Sequence, residues 1–292
     1  MKCKITGDKL SPFMSFGKMP SANGFLDENN FDNEFFYEME VGFSSKVSLL
    51  QLNEFSNPVK VHNDRYPFYT SSSLNMKKHF NQFAHWLKEK YLHHGSKLIE
   101  VGSNDGTLLE NFKNTNIEAV GFEPSITIAE LANKKNIKTL SKFFNTQNLD
   151  EIKNFHSSVD VICSANVIAH IPDLKDVIKC VDKLLSSKGL LIFEEPYLGS
   201  MFSKISYDQI YDEHIFMFSV NSIKKIFDLF DFELIDVLPQ VTHGGSMRYV
   251  IARKNKHKKS EIVSKFLDEE QSKKLDTIES CLEFKKACEL SK

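Results

Sequence analysis

The sequence is poor in cysteine and has no long apolar run. No stretch approaches the roughly 20 apolar residues that a membrane-spanning helix needs. The lysines near its start are followed by polar residues, unlike a signal peptide. We therefore expect a reducing, cytoplasmic setting and no membrane partner. The five cysteines, odd in number and widely spaced, are Cys3, Cys163, Cys180, Cys281 and Cys288.

A large excess of charge of either sign is also absent. The 37 Lys and Arg residues nearly balance the 39 Asp and Glu residues, and the net charge of -2 argues against a general nucleic-acid binder. The one basic cluster, residues 253–259, follows an apolar run and is interpreted as a solvated linker. Apolar residues make up 41% of the 292 residues, which permits an ordinary core and about two domains.

Apolar residues recur with the period of a helix over residues 74–92, and short strands and helices alternate after them. This alternation predicts an α/β fold of the Rossmann type with a mostly parallel sheet. The predicted strands are residues 97–101, 118–123, 159–166, 190–193, 232–238 and 247–252, and the predicted helices between them are residues 126–135, 173–185 and 219–230.

Three segments with different patterns divide the chain. Residues 1–70 are rich in Phe, Asn, Asp and Ser, with only short apolar runs, and predict a small irregular module. Residues 71–255 carry the alternating strands and helices. Residues 256–292 are helical and charged, with an interrupted apolar stripe. An amphipathic helix needs a surface to pack on, so this segment either folds back on the sheet domain or belongs to a domain absent from the sequence.

The sharpest local motif is the turn EVGSNDGT at residues 100–107, which follows the first predicted strand of the sheet and is expected to open a helix. Gly102 and Gly106 permit a tight turn and close approach of a ligand. Glu123 ends the next strand, 21 residues after Gly102, where a carboxylate can accept both ribose hydroxyls of an adenosine. The G-x-G-x-x-G triplet of a dinucleotide site is absent. The acids Glu100 and Asp105 suit the cationic S-adenosylmethionine; an ordinary turn without a ligand is the alternative.

Polar residues also follow the later strands, where the ligand lies in a doubly wound sheet. Asn166 and His170 follow the fourth strand, and the loops at residues 194–197, 211–219 and 242–248 are rich in Tyr, Glu, His and Arg. A structural role for His170, and a capped loop at residues 211–214, remain the alternatives. No second histidine has the usual spacing of metal ligands, so no catalytic metal is expected.

Taken in order, the motifs resemble those of the sugar C-methyltransferases that act on nucleoside-diphosphate 4-keto-deoxysugars. The resemblance spans essentially the whole chain. It implies a class I S-adenosylmethionine methyltransferase domain with a small N-terminal module and a C-terminal helical extension. The motifs are EVGSNDGTLL at residues 100–109, GFEPS at 121–125, ANVIAHIPDL at 165–174, YDEHIFMFS at 211–219 and HGGSMR at 243–248.

The resemblance also assigns roles to residues. His214 is similar to the family's general base, Tyr69 resembles an active-site tyrosine, and His243 and Arg248 match the last motif without a defined role. The positions expected to line the sugar pocket are Tyr211, Glu213, His170 and Asn166. The positions expected to bind the cofactor are Glu100, Gly102, Asn104, Asp105, Gly106, Glu123, Pro124 and again Asn166.

The sequence departs from the family at both ends. The family's N-terminal module binds zinc through two C-x-x-C pairs, which here read Cys3-Lys4-Ile5-Thr6 and Ser44-Ser45-Lys46-Val47. A structural zinc site needs four ligands, so we expect no zinc and a module held by its Phe-rich core. The family also continues into a further α/β domain, and residues 256–292 are expected to be the start of that domain, with the remainder absent.

These observations predict a methyltransferase that adds a methyl group to carbon of a nucleotide-activated keto sugar, in polysaccharide or glycosylated-metabolite synthesis. A neutral imidazole can remove the proton beside a keto group. Two alternatives remain: a methyltransferase acting on oxygen of a small molecule, and a truncated chain that binds S-adenosylmethionine without turnover. No nucleic-acid partner is expected, and a monomer is the expected state.

Overall fold

The computed structural model describes residues 1–23, 25–61 and 66–291. In chain order the strands are β1 (Ser11–Pro20), β2 (Phe36–Ser44), β3 (Leu49–Leu52), β4 (Lys97–Val101), β5 (Glu118–Phe122), β6 (Thr139–Leu140), β7 (Val159–Ala165), β8 (Leu185–Pro196), β9 (Phe216–Met217), β10 (Phe232–Gln240) and β11 (Ser246–Arg253). The α-helices are α1 (Pro58–Val61), α2 (Leu74–Lys90), α3 (Ile126–Lys134), α4 (Leu174–Leu184), α5 (Leu198–Lys204), α6 (Val220–Asp228), α7 (Glu261–Ser272) and α8 (Ile278–Leu290).

Two compact units divide the described chain. The first comprises Met1–Val61, Ile168–Leu174 and the chain from Phe193 onward, and the second comprises the described residues in between. Strand β8 contributes to both, because its last residues, Phe193–Pro196, belong to the first unit. No helix of the described residues is long and apolar enough to cross a bilayer.

The second unit holds strands in the order β8-β7-β4-β5-β6, and β7, β4, β5 and β6 pair in parallel. Ile99 of β4 pairs with Val120 of β5 on one side and with Ile162 of β7 on the other, and all three side chains are buried. Buried parallel strands read as near-continuous apolar runs, which is why the sequence predicted them. The carboxyl ends of β4, β5 and β7 meet at one edge of this sheet, and the loops that follow them carry the candidate cofactor residues.

The helix predicted at residues 74–92 forms as α2, and its start is capped because the Ser73 side chain accepts a hydrogen bond from the Met76 N–H. Its buried face includes Phe80, Phe83 and Leu87, which are among the apolar residues that recur with the period of a helix. The turn at residues 102–106, however, does not open an α-helix. It leads into a short 3₁₀ turn, Leu109–Phe112.

The first unit contains an antiparallel sheet in the order β1-β2-β3-β9. This is more regular than the irregular module expected from residues 1–70. The register of β1 against β2 shifts between Pro12 and Met14 and again between Ser15 and Lys18. Each shift breaks the alternation of inward and outward side chains. Strand β1 therefore lacks the period-two apolar pattern by which a strand is predicted from sequence.

Helix α8 packs on this N-terminal sheet. Phe284 and Cys281 of α8 share one buried cluster with Phe43 and Leu50. The ring of Phe284 stacks on Phe202 of α5, with centroids 4.4 Å apart and planes 6° apart. The sequence left open what the amphipathic C-terminal segment packs on, and the structure identifies the surface as the sheet formed by the first strands of the chain.

Helix α7 supplies a carboxylate that caps another helix. Glu270 is almost fully buried, and its two oxygens accept hydrogen bonds from the backbone N–H groups of Val220 (2.7 Å) and Asn221 (2.8 Å). The hydroxyl of Tyr197 donates to the same carboxylate at 2.8 Å. Helix α6 therefore begins with its first donors paired to an acid that lies about 50 residues later in the sequence.

Candidate active site

The sequence-predicted residues form two sets, one in each unit. In the second unit, the turn after β4 has three residues in the left-handed region: Gly102 (φ +68°), Asn104 (φ +48°) and Gly106 (φ +79°). A Cβ atom at Gly102 would overlap the side chain of Val167, and one at Gly106 would lie 2.8 Å from Ile137. Both glycines are therefore required by the backbone conformation and by the close packing around the turn.

Three carboxylates surround this turn. Glu100, Asp105 and Glu123 are each 5% exposed or less. Burial raises the pKa of Glu100 well above its usual range, and the charges of Asp105 and Glu123 raise it further. Its Oε2 atom has no hydrogen-bond partner among the described residues. Such a cluster fits a ligand that brings a positive charge and hydroxyl donors, as S-adenosylmethionine does.

Glu123 joins the turn to the end of β5. Its carboxylate accepts hydrogen bonds from the backbone N–H groups of Asn104 (3.1 Å) and Ser125 (2.9 Å). Burial raises the pKa of this carboxyl to about 7, although the two N–H donors oppose the shift. Pro124, the next residue, begins the turn that leads into α3. Glu123 therefore lies where the sequence placed a ribose-binding acid.

The side chains of Asn104 and Asp105 bind a neighbouring segment of the chain. Asn104 accepts a hydrogen bond from the Thr70 N–H at 2.9 Å and donates one to the Phe68 carbonyl at 3.1 Å. Asp105 accepts one from the Ser71 N–H at 3.1 Å. Tyr69, whose side chain is 36% exposed, lies between these attachment points. The structure therefore brings Tyr69 to the same turn as the expected cofactor residues.

Asn166 completes the set in the second unit. It follows β7, adopts a left-handed conformation with φ +58°, and precedes Val167, which packs against Gly102. Its Oδ1 atom is buried and has no hydrogen-bond partner among the described residues. Because β7 lies next to β4, Asn166 and Glu100 lie at the ends of adjacent strands. Asn166 was expected in both sets of residues and lies with the cofactor set.

In the first unit, His214 lies in the loop before α6 and is 6% exposed. Its Nδ1 atom lies 2.7 Å from the carbonyl oxygen of Gln209. Because a carbonyl only accepts hydrogen bonds, Nδ1 must carry the hydrogen, and the lone pair of a neutral ring is on Nε2. Nε2 lies 3.1 Å from the hydroxyl of Tyr211, which donates to it. The accepting nitrogen therefore has a defined position and a polar neighbour.

Burial lowers the pKa of His214 to about 4, because the charged imidazolium is disfavoured there, and the charge of His243 lowers it further. The Gln209 carbonyl opposes the shift in part. Burial also raises the pKa of Tyr211, with the charges of Glu213, Glu195 and Asp212 adding to the effect. Near neutral pH the imidazole is therefore an uncharged base, and the phenol beside it keeps its proton.

Glu213 connects His214 to a second histidine. A carboxylate oxygen of Glu213 lies 3.7 Å from Nδ1 of His170, and the rings of His170 and His214 are tilted with centroids 5.2 Å apart. The 3₁₀ turn that holds His170 (Ile168–His170) is anchored where the Ala169 N–H donates to Glu195 at 3.1 Å. The sequence grouped His170, Tyr211, Glu213 and His214, and the structure places them together.

Two further side chains join this cluster: Asn23, which the sequence did not indicate, and Glu195, which lies in the candidate loop at residues 194–197. The Asn23 side-chain amide donates to Glu213, and the neighbouring Ala22 N–H donates to Asp212 at 3.2 Å. Glu195, at the end of β8, holds the turn of His170. The Asn-Gly pair in SANGF at residues 21–25 signals a turn, but nothing local to it indicates a contact with a loop 190 residues away.

Arg248 and His243, from the last motif, differ in their surroundings. Arg248 is 5% exposed and pairs with Glu194, which is fully buried: Nε lies 2.7 Å and Nη2 2.5 Å from the same carboxylate oxygen. His243 is exposed, in the Thr242–Gly244 turn between β10 and β11, with φ +51°. Arg248 thus has a buried ion pair within the first unit, and His243 influences the cluster through its charge on His214.

The four positions of the family's zinc ligands do not fit a metal here. Cys3 is buried, and Val47 is a buried apolar residue. The hydroxyls of Thr6 and Ser44 both donate to one carboxylate, Asp8, the second at 3.2 Å. No group of three His, Cys, Asp or Glu side chains in the described ranges can hold a metal ion. Asp8 thus joins the two segments that carry the expected ligand positions.

We predict that the purified protein contains no stoichiometric zinc and that chelation leaves its melting temperature unchanged. Asp8→Ala should lower the free energy of unfolding by about 1–2 kcal/mol, because two hydroxyl groups lose a charged acceptor. Glu28→Ala, which removes an exposed acid of the same unit, is the matched control. Elemental analysis and thermal unfolding measure these effects; one zinc per chain that stabilises the fold would contradict the prediction.

Profiles of known protein families match three parts of the chain. The profile of a methyltransferase domain matches residues 70–237, that of a putative zinc-binding domain matches residues 3–61, and that of a C-methyltransferase C-terminal domain matches residues 241–292. The C-methyltransferase NovU of Streptomyces niveus is 28% identical over 249 residues, which cover 84% of this chain. The chain spans 59% of the length of that relative.

The solved structures that match this chain have low sequence identity to it and TM-scores below 0.5. The PH0226 protein of Pyrococcus horikoshii OT3 is 14% identical, with a TM-score of 0.49 over 64% of this chain and 95% of its own. Magnesium protoporphyrin IX methyltransferase of Synechocystis PCC 6803, solved with bound S-adenosylmethionine, is 14% identical, with a TM-score of 0.47 over 69% of this chain and 86% of its own.

Proposed function

Because this chain belongs to the family of S-adenosylmethionine-dependent C-methyltransferases, we propose that it methylates a carbon atom of a nucleotide-activated 4-keto-deoxysugar. The observation that carries the proposal is the buried, neutral His214, whose Nε2 lone pair faces the Tyr211 hydroxyl. Transfer to carbon beside a ketone needs a base of this kind, because a C–H proton must first be removed.

The turn after β4 is assigned to the cofactor. S-adenosylmethionine supplies an electrophilic methyl group on a positively charged sulfur. The carboxylate of Glu123, directly after β5, would accept hydrogen bonds from the two ribose hydroxyls of the cofactor. Glu100 and Asp105 favour the positive charges of the cofactor in a buried setting where an uncompensated charge is costly, and Gly102 supplies the left-handed backbone that the turn requires.

The Tyr211–His214 loop is assigned to proton removal. The 4-keto group acidifies the hydrogen on the adjacent sugar carbon. Nε2 of His214 takes that proton, and the electron pair of the broken C–H bond moves to form an enolate. With the cofactor bound at the turn after β4, the enolate carbon would bond to its methyl carbon, and the electrons of the broken C–S bond would remain on sulfur. Positioning of the two reactants provides much of the rate.

The Tyr211 hydroxyl, next to His214, is assigned to stabilising the negative charge that develops on the enolate oxygen. The Tyr211 phenol keeps its proton near neutral pH, because burial and three nearby acids raise its pKa. A preorganised donor is often the largest single contribution to catalysis. His170 is held by Glu213, and Glu213 in turn accepts from Asn23. We assign Glu213 and Asn23 to orienting the imidazole of His170.

The proposal is tested by incubating the protein with ¹³C-methyl-labelled S-adenosylmethionine and a nucleoside-diphosphate 4-keto-6-deoxysugar. A carbon-bound methyl group in the product, recognised by its chemical shift, is the expected result. An oxygen-bound methyl group would overturn transfer to carbon. Cofactor binding without transfer to any sugar of a panel would favour a chain that binds S-adenosylmethionine without turnover.

Replacing Glu123 by Ala should weaken S-adenosylhomocysteine binding by about 10- to 100-fold, the loss typical of hydrogen bonds to a charged group. Since the pKa of Glu123 is about 7 without ligand, and ribose donors favour the ionised form, binding at pH 7 should release protons. Affinity should therefore rise as the pH increases through about 7.

Calorimetry in buffers of different ionisation enthalpy measures both the affinity and the proton release. Glu130→Ala, which removes an exposed glutamate of the same unit, is the matched control and should bind like the wild type. Unchanged affinity in Glu123→Ala, or binding that takes up protons at pH 7, would contradict the assignment of Glu123 to the ribose.

A further inference from the structure

The backbone on both sides of Tyr69 is held by a single side chain. The Asn104 carboxamide accepts from the Thr70 N–H at 2.9 Å and donates to the Phe68 carbonyl at 3.1 Å. It thus pairs with the residues flanking Tyr69 as a neighbouring strand would. The Tyr69 carbonyl is also occupied, because it accepts from the Ser72 N–H at 3.0 Å and from the Ser72 hydroxyl at 2.7 Å.

The residue type at position 104 is tightly restricted. A side chain that makes both bonds must donate and accept at once, as the carboxamides of Asn and Gln can. The backbone at this position has φ +48°, where Asn is tolerated far better than most residues. Asn104 is also 91% buried, so loss of its partners would leave polar groups unpaired.

Asp105 gives the segment a second attachment. Its carboxylate accepts from the Ser71 N–H at 3.1 Å and from the Thr107 hydroxyl at 2.7 Å, with Lys135 at 3.9 Å. Burial acts to raise the pKa of Asp105, but the hydrogen bonds from Ser71 and Thr107 and the charge of Lys135 outweigh it, and the pKa is lowered. Asp105 is therefore an anion that continues the contact begun by Asn104.

We propose that Asn104 is a positioning residue that couples the cofactor turn to Tyr69. The side chain of Asn104 faces residues 68–70, while its backbone N–H donates to Glu123, the acid assigned to the ribose. A ligand that orders Glu123 and the turn therefore also orders the segment that presents Tyr69. This proposal rests on the proposed function for the roles of Glu123 and Tyr69. It gives the side chain of Asn104, which was expected to bind the cofactor, the role of coupling the turn to Tyr69.

The coupling is tested by hydrogen–deuterium exchange of the full chain with and without S-adenosylhomocysteine. Asn104→Gly removes both bonds and preserves the left-handed backbone. Asn114→Gly is the matched control, since Asn114 has φ +59° in the same unit and is exposed. Wild type and Asn114→Gly should show slow exchange at residues 68–72, slower still with ligand. Asn104→Gly should exchange at least about tenfold faster there, with little response to ligand.

The cofactor affinity and the kcat of Asn104→Gly distinguish coupling to Tyr69 from a direct contact of Asn104 with the cofactor. Asn104→Gly should keep the S-adenosylhomocysteine dissociation constant within about threefold, while kcat falls by about 10- to 100-fold, as for a misplaced group. Because both residues act together, the double variant with Tyr69→Phe should be no slower than the slower single variant. A lack of methyl transfer by the wild type would refute the proposed function, whereas the exchange result would still decide the coupling.

Two outcomes would overturn the inference. Exchange at residues 68–72 that is the same in Asn104→Gly and in wild type would show that Asn104 does not hold the segment. A loss of S-adenosylhomocysteine affinity of about 100-fold or more in Asn104→Gly would make Asn104 a direct ligand of the cofactor. Fully additive losses in the double variant would likewise separate Asn104 from Tyr69.

Discussion

Replacing His214 by Asn is expected to lower kcat by about 10²- to 10⁴-fold, the range over which a positioned general base accelerates a reaction. Asn has a similar volume near the backbone and can still donate to the Gln209 carbonyl, but it offers no basic nitrogen. The affinity for S-adenosylhomocysteine should be unchanged, because the residues assigned to the cofactor lie in the other compact unit.

Solvent exchange isolates the proton-removal step. In D₂O with S-adenosylhomocysteine present, the wild type should incorporate deuterium at the sugar carbon beside the ketone, and His214→Asn should not. His94→Asn, which replaces an exposed histidine, is the control and should behave like the wild type. Full turnover by His214→Asn would show that another group removes the proton.

The lowered pKa of His214 also predicts an acid-dependent loss of stability. The folded protein protonates this imidazole only near pH 4, whereas the unfolded chain does so near pH 6.5. The stabilisation is therefore fully present above about pH 6.5 and falls by about 3 kcal/mol as the pH drops to about 4. Urea unfolding at several pH values should show this loss in the wild type and not in His214→Asn. Neutral base should remain available between about pH 5 and 8.

Arg248→Met is expected to lower the free energy of unfolding by about 3–5 kcal/mol, because it leaves the carboxylate of Glu194 buried without its counterion. Glu194 is fully buried, and Arg248 is 5% exposed. The two donor atoms at 2.5 and 2.7 Å make a geometry that a neutral side chain cannot replace. Urea denaturation measures the change.

A double variant tests the physical reason. Replacing the whole pair by apolar residues, as in Arg248→Met with Glu194→Leu, removes both charges and should recover at least about half of the lost stability. Lys258→Met removes an exposed cation from the segment between β11 and α7 and should change stability by no more than about 0.5 kcal/mol. A loss under about 1 kcal/mol in Arg248→Met would mean that the pair contributes little.

Features that depend on residues near in sequence could be predicted. Strands β4, β5 and β7 and helix α2 form where the spacing of apolar residues predicted them, because that spacing is local. Strand β6, which has only two residues, was not predicted. The turn at Gly102 and Gly106 could be predicted because its left-handed backbone favours glycine. The ribose-binding role of Glu123 was predicted from its position at the end of the next strand, 21 residues after Gly102. His170, Tyr211, Glu213 and His214 were grouped by resemblance, and the structure places them together.

Features that depend on distant contacts could not be predicted. The contact of Asn23 with Glu213 joins positions 190 residues apart. The motif containing Asn104 and Asp105 predicted contact with a cofactor, but nothing in it indicated that their side chains hydrogen-bond to the segment around Tyr69. Arg248 lies in a motif of the family, but its pairing with Glu194 depends on how two strands lie side by side. The spacing of residues along the sequence does not show which distant residues will be in contact in the folded protein.

The packing of α8 against the first strands has a consequence for synthesis on the ribosome. Strands β1 to β3 leave the ribosome more than 200 residues before Cys281 and Phe284, which share their buried cluster. Until then the apolar face formed by Phe43 and Leu50 lacks its cover. Contacts of such sequence separation slow folding and prolong the exposure of apolar surface. We therefore expect nascent chains that end before α8 to depend on chaperones.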